Sequence, residues 1–286
     1  MKRIVFVLLV GLFGSMDLMA QGVYDDFIYT RQAVQERKVV PWPYLREADV
    51  HYAKRIWRVI DMREKQNQPM QWPKNPLNII LYNAVMGGKL IPYKDDSLSS
   101  SHTTEEFEAY FAQKKPEKQL IDPNGDPDDP TNFYMDTVEI KLEAKDIKKF
   151  KIMEDWIFDK KESRMYVRII GIALLVQPTV EGAEIPEQEW CWLKYHRDPD
   201  DPDQQDLREM LVNMEVFNRV NDAARITYDD WFEGRWFSSY IVKQANQYDN
   251  AIKDFAEFQD NGVAALLEAE KIKSELFEFE HDLWEY

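Results

Sequence analysis

The sequence predicts a mixed α+β protein with a helical N-terminal part, a central and mainly antiparallel sheet, and a helical C-terminus. Three observations predict it. Apolar residues recur at spacings of three and four near both ends of the chain. Alternating and unbroken apolar runs occupy the middle. Glycine is scarce, at 10 in 286 residues, which disfavours a turn-rich barrel.

The chain opens with an export signal. Lys2 and Arg3 precede an apolar run from Ile4 to Phe13, and Leu18-Met19-Ala20 then precedes Gln21. A basic start, a short apolar stretch and small residues before a junction read as a secretory signal peptide over residues 1–20. The apolar run falls well short of the ~20 residues that span a bilayer. No cysteine stands directly after it, where Gly14 to Gly22 run through the junction, so a lipid anchor on this chain is not expected. Cleavage after Ala20 removes two cations and one acid, taking the net charge of −16 to −17.

Residues 21–44 read as an extended N-terminal arm. Val39-Val40-Pro41-Trp42-Pro43-Tyr44 must be extended, because each proline pushes its predecessor out of the helical region. An arm carrying Trp42 and Tyr44 needs a surface to cover, on its own domain or on a neighbouring subunit. The remainder, 45–286, reads as one domain with a helical C-terminal segment from about 246.

Within that domain, Arg46 to Gln66 is read as a helix, since Val50, Ala53, Trp57 and Ile60 space at three, four and three. Asn75 as cap and Pro76 at the first position start a second helix, which Gly87-Gly88 ends. Lys89 to Tyr93 is a short strand, and Thr103-Thr104-Glu105-Glu106 has capping-box spacing for a third helix through Tyr110. Val138, Ile140 and Leu142 alternate as a strand. Trp156 to Phe158, the polar Asp159 to Arg164, and the apolar Met165 to Val176 form a hairpin, and Trp190 to Tyr195 supplies a further strand. Helical spacing then returns at Leu207, Met210, Met214 and Phe217. Thr227 to Asp230 caps a helix carrying Trp231, Phe232, Trp236 and Tyr240. From Tyr248 to Leu283 a heptad stripe runs through Phe255, Ala265, Ala269, Ile272, Leu276 and Phe279, with a break at Asp260-Asn261-Gly262. That stripe packs either on its own domain or on another subunit.

Composition excludes several function classes. A pI near 4.8 argues against a nucleic-acid partner. One cysteine precludes an internal disulfide framework; Cys191 reads as a buried thiol, with an intermolecular disulfide as the alternative. No Gly-x-Ser-x-Gly elbow occurs, and His51, His102, His196 and His281 lie far apart in sequence. Gly87-Gly88 follows a helix and does not form a phosphate loop. The repeated words Asp126-Pro127-Asp128-Asp129-Pro130 and Asp198-Pro199-Asp200-Asp201-Pro202 read as solvated loops. Weak Ca²⁺ binding is the alternative there, since Gly125 falls out of register with an EF-hand glycine. No catalytic residue, cofactor or metal is expected.

Several words are more specific. Pro43-Tyr44-Leu45-Arg46-Glu47-Ala48-Asp49-Val50, Lys54-Arg55-Ile56-Trp57-Arg58-Val59-Ile60-Asp61 and Arg63-Glu64-Lys65-Gln66-Asn67-Gln68-Pro69 resemble the GldN/PorN family. So does Trp156-Ile157-Phe158-Asp159-Lys160 followed by Arg168-Ile169-Ile170-Gly171-Ile172-Ala173. The resemblance, running from about Val39 to Trp236, implies a non-enzymatic periplasmic component of the type IX secretion system of the Bacteroidetes, tied in some members to gliding motility. It implies association with a GldK/PorK-like outer-membrane lipoprotein in a large ring, and coupling to a GldM/PorM-like shaft of an inner-membrane motor. A ring needs a heterologous interface, one patch meeting a different patch on the next copy. Trp42 and Tyr44 of the arm, with Ile272, Leu276 and Phe279 of the C-terminal stripe, are the residues expected at that seam. Nine tryptophans and many carboxylates leave a periplasmic glycan-binding or glycan-cleaving protein as the alternative.

Overall fold

The computed structural model describes residues 34, 36–103, 113–120, 133–140, 143–177, 179–180, 183–184, 187–196, 207–259 and 261–282. The expected signal peptide, most of the helix expected to begin at Thr103, and both Asp-Pro loops lie outside the described residues.

The body is built on strand β1 (Val50–Asp61), paired antiparallel along its length with β4 (Ile147–Asp159). A hairpin leads from β4 to β5 (Arg164–Val176), and β8 (Gln188–Lys194) pairs with β5. With β11 (Tyr240–Gln244) on the other side of β1, the order is β11-β1-β4-β5-β8, five strands all antiparallel. Smaller two-stranded pairs join β2 (Gln113–Leu120) to β3 (Phe133–Ile140), β6 (Thr179–Val180) to β7 (Ala183–Glu184), and β9 (Glu215–Val216) to β10 (Ile226–Thr227). The helices are α1 (Leu77–Met86), α2 (Leu207–Leu211), α3 (Tyr228–Glu233) and α4 (Gly262–Asp282). The α+β class, the antiparallel central sheet and the helical C-terminus are therefore as expected from sequence.

The N-terminal helix expected over Arg46 to Gln66 is instead β1, flanked by 3-10 turns at Glu47–Asp49 and Gln68–Gln71. The reason lies in its burial. Ile56, Arg58 and Ile60 face one side of the sheet, opposite Glu154, Ile152 and Phe150, while Trp57 and Val59 face the other. All five β1 residues are buried. A strand covered on both faces loses its polar alternation, and the surviving apolar positions then fall at three and four by coincidence. Local propensity favoured the strand, through Val50, Ile56, Val59 and Ile60, and Arg46 offers no side-chain cap.

A second correction concerns Leu207 to Phe217. The helix stops at Leu211 because Met214 accepts a backbone hydrogen bond from Tyr228 (2.9 Å), and Glu215–Val216 then pair with β10. Tertiary pairing takes the backbone groups that a longer helix would have used. Likewise α3 ends at Gly234, so Trp236 lies beyond it and Tyr240 stands on β11. Its start has the expected form: Thr227 accepts from the Asp230 amide and Asp230 answers at the Thr227 amide.

α1 ends at Gly87-Gly88 as expected, and Gly88 takes φ +67°, a left-handed turn that a side chain would strain. Asn75 serves elsewhere, its amide reaching the Glu215 carbonyl at 2.8 Å. Of the strand expected over Lys89 to Tyr93, only isolated bridges form, where Tyr93 pairs with Ser101 and with Trp192. Both faces of β8 are covered, so Trp190, Cys191 and Trp192 are all buried. Burial pushes the Cys191 thiol well above its ordinary value, which makes it inert.

Two layers enclose the sheet's apolar faces. The larger core joins α1, α2 and α3 to Ile60, Phe150, Ile152, Ile172 and Leu174. A second cluster lies under α4, where Ala269, Ile272 and Leu276 meet Ile56, Ile241 and Ile252. On the opposite face, Trp57, Met153, Ala173 and Trp192 are covered by the segment carrying Tyr93 and Leu98. Gly171 lies below that crossing, where a Cβ would stand 3.3 Å from Leu98 and from the Leu193 carbonyl.

Candidate interaction surfaces

The described end of the arm, residues 36–44, is clasped by its own domain. Trp42 donates its indole N–H to Glu233 (3.0 Å), lies edge-on to His196 (4.9 Å), and has the guanidiniums of Arg208 and Arg168 over its ring at 5.1 and 5.5 Å. Arg168 also donates to the Pro43 carbonyl at 2.6 Å, and Arg37 forms an ion pair with Asp230. Beneath Trp42, Arg208 donates to both oxygens of Asp229 (2.9 and 3.3 Å), and the Tyr195 hydroxyl donates to the same carboxylate at 3.3 Å. Burial, with the charges of Glu233 and Asp229, raises the Tyr195 phenol well above its ordinary value and keeps it a donor. Burial likewise raises the Glu233 carboxyl, against the opposing Trp42 hydrogen bond and Arg208 charge. Two residues beyond Trp42 the contact ends: Tyr44 is 90% exposed.

The C-terminal stripe is turned inward. α4 starts where the break was expected, with Asn261 accepting from the Ala264 amide (3.1 Å). Ile272 and Leu276 are buried on their own sheet, and Phe279 lies 4.3 Å from the Tyr52 ring and 6.3 Å from Phe158. Their apolar surface is thus occupied within the chain. The free face of α4 carries Val263, Leu266, Leu267 and Phe277, each more than half exposed. Val263, Leu266 and Leu267 lie within one turn, beside a groove of about 530 Å³ whose walls include Val59, Leu175, Ile252 and Leu266. Of the five residues expected at a seam, Tyr44 alone presents itself wholly to solvent.

The sequence reading missed a third feature. Glu154 is completely buried and receives Arg235 through two bonds (2.7 and 3.1 Å), Trp156 through its indole N–H (2.9 Å), and Arg58 at 3.4 Å. Burial lowers the Arg58 pKa, and the Glu154 charge offsets part of that effect. Above this cluster, between α4 and the residues after α3, lies a cavity of about 560 Å³ walled by Arg58, Trp156, Arg235, Phe237, Lys273 and Phe277. One signal was available: Glu154 sits between Ile152 and Trp156 at the alternation of an otherwise inward face.

Among the described residues no group of three His, Cys, Asp or Glu could hold a metal ion, and no helix is long and apolar enough to cross a membrane.

A family model described as gliding motility associated protein GldN matches residues 45–285, and the chain belongs to that family. It is therefore a protein associated with gliding motility and type IX secretion, from a family of structural secretion-system components. No curated protein matches it.

Proposed function

We propose that this chain is a non-enzymatic structural subunit of the type IX secretion system, exported to the periplasm and assembled into a large ring with a GldK/PorK-like outer-membrane lipoprotein. The observation that carries this reading is the family match across residues 45–285. Three features support it physically. The export signal directs the chain out of the cytoplasm. The exposed Val263, Leu266 and Leu267 beside their groove offer an apolar patch of the kind that marks protein contacts. Among the described residues, Trp42, the buried Val34 and a few polar bonds hold the arm to its domain, and the same clasp can take the arm of a neighbour.

Charge sets a further condition. Subunits of net charge −17 repel one another, so assembly calls for a basic partner face or bound cations. The lipoprotein is the partner assigned that face, and a GldM/PorM-like periplasmic shaft is the next contact outward. Electron microscopy of the complex extracted from native envelopes tests the reading. Closed rings containing this chain and the lipoprotein are expected. A chain that stays monomeric beside the lipoprotein, at every concentration tried, overturns it.

A further inference from the structure

The described arm has a period of three. Val39, Trp42 and Leu45 are half-buried, while Val40, Pro41, Pro43 and Tyr44 between them are exposed. Three residues per turn is the repeat of a polyproline II helix, which Pro41 and Pro43 favour by fixing φ, and Arg46 continues at φ −80°, ψ 137°. One edge of that helix lies on the domain through Trp42. The two other edges pair Val40 with Pro43 and Pro41 with Tyr44, and Val40 and Tyr44 are 74% and 90% exposed. The result is a stiff apolar ridge turned to solvent, whose docking costs little further ordering.

The groove of about 530 Å³ at the start of α4 is the matching concavity. Val59, Leu175, Ile252 and Leu266 line it, with Tyr240 as its aromatic residue. Polyproline segments dock in apolar, aromatic-lined grooves of this make. On the side of β8, Lys149 and Lys151 are tied to Glu187 and Glu189 (3.0 and 2.6 Å), so that wall is neutral. The wall drawn from residues 251–268 has Asp254, Glu257, Asp260 and Glu268 in its sequence against Lys253 alone. The ridge is bounded by the exposed cations Lys38 and Arg46 with no acid between them, and the next acids, Glu36 and Glu47, stand beyond those two. Ridge and groove are therefore both apolar and opposite in charge at their rims. They cannot meet within one chain while the clasp holds. Pro43 is bound to Arg168, and Leu175 stands seven positions further along β5, roughly 23 Å away.

We propose that the groove receives the Val40–Tyr44 ridge of a second copy, in a head-to-tail contact where each copy offers its ridge toward one end of β5 and its groove toward the other. This rests on the ring reading above and gives it a seam, since two different patches meeting pass the contact from copy to copy. It also sets positive against negative between chains that otherwise repel.

Cells producing two forms of the full chain, a tagged Val40→Cys and an untagged Leu266→Cys, test this, because a disulfide between the two joins different copies. Envelopes are oxidised with copper phenanthroline, and the extract is read by non-reducing electrophoresis and by electron microscopy. The buried Cys191 does not compete. The control replaces Leu266→Cys by Val220→Cys, 93% exposed and outside the groove. About tenfold more mixed disulfide is expected with Leu266→Cys than with the control, since docking raises the effective concentration of the two thiols. Adding Lys38→Glu and Arg46→Glu to the tagged chain should lower that yield about fivefold. Rings whose mixed disulfide is no greater than the control's, or a yield indifferent to the two charge reversals, overturn the proposal and leave the ring reading standing. A chain that is monomeric throughout overturns both.

Discussion

Replacing Glu154 by glutamine removes the one negative charge that the buried part of the sheet holds for Arg58 and Arg235, while keeping its shape and its bond from Trp156. Breaking one member of a buried ion pair costs about 3–5 kcal/mol, because the partner is left charged and dry. The lower end applies here. The Arg235 side chain is 26% exposed and can turn toward water, whereas Arg58, at 7%, cannot. Glu154→Gln is thus expected to lose about 3 kcal/mol, or roughly 6–12 °C in Tm for a domain of this size. Urea unfolding of the purified mature protein reads it as a lower midpoint at unchanged slope. The companion variant Arg58→Met with Glu154→Leu removes both buried charges and should recover more than half of the loss. A Glu154→Gln loss below about 1 kcal/mol, or a companion no more stable than Glu154→Gln, refutes the reasoning that one carboxylate compensates a buried guanidinium.

Two further outcomes follow from the same coordinates. Leu276→Ala should destabilise by about 2–4 kcal/mol, since Leu276 is buried under α4, while Phe277→Ala one position on should change stability by less than about 0.5 kcal/mol; thermal unfolding of the pair checks which face of α4 is inward, and equal losses would contradict the assignment. Glu233 has a carboxyl raised by burial in the arm clasp, so its contribution is fully present below the ordinary value of 4.5 and is lost as pH rises through the raised value. Glu233→Gln should accordingly gain Tm relative to the parent on going from pH 4.5 to pH 7, and a Tm difference constant over that range would show that the clasp does not perturb this group.

The middle and the end of the chain were the most legible. The β4–β5 hairpin could be read because a polar stretch, Asp159 to Arg164, separates two apolar runs that pair directly across it. α1 could be read from Pro76 and Gly87-Gly88, which act locally. α4 was visible from Ala265 to Phe279 because a helix packed on one side keeps its apolar stripe, Ala269, Ile272 and Leu276, apart from exposed polar residues such as Glu270, Lys271, Lys273 and Glu275. What could not be read were contacts between residues distant in sequence. Glu154 stands 96 residues from Arg58 and 81 from Arg235, and nothing local announces that three such charges converge. Whether the stripe of α4 meets its own sheet or another molecule was equally open, since both give the same spacing.

Composition, charge and local pattern by themselves determined the α+β class, the hairpin, the capping box at Thr227 and the words that carry the family, since each depends on neighbours within a few positions. The tertiary structure decided that residues 50–61 are a strand, that Ile272, Leu276 and Phe279 are spent on their own sheet, and that Arg58 and Glu154 form a buried pair beneath a cavity. The physical reason is common to all three. Covering both faces of a sheet erases the alternation that identifies a strand, and burial is a property of what packs against a residue, which spacing along the chain does not record.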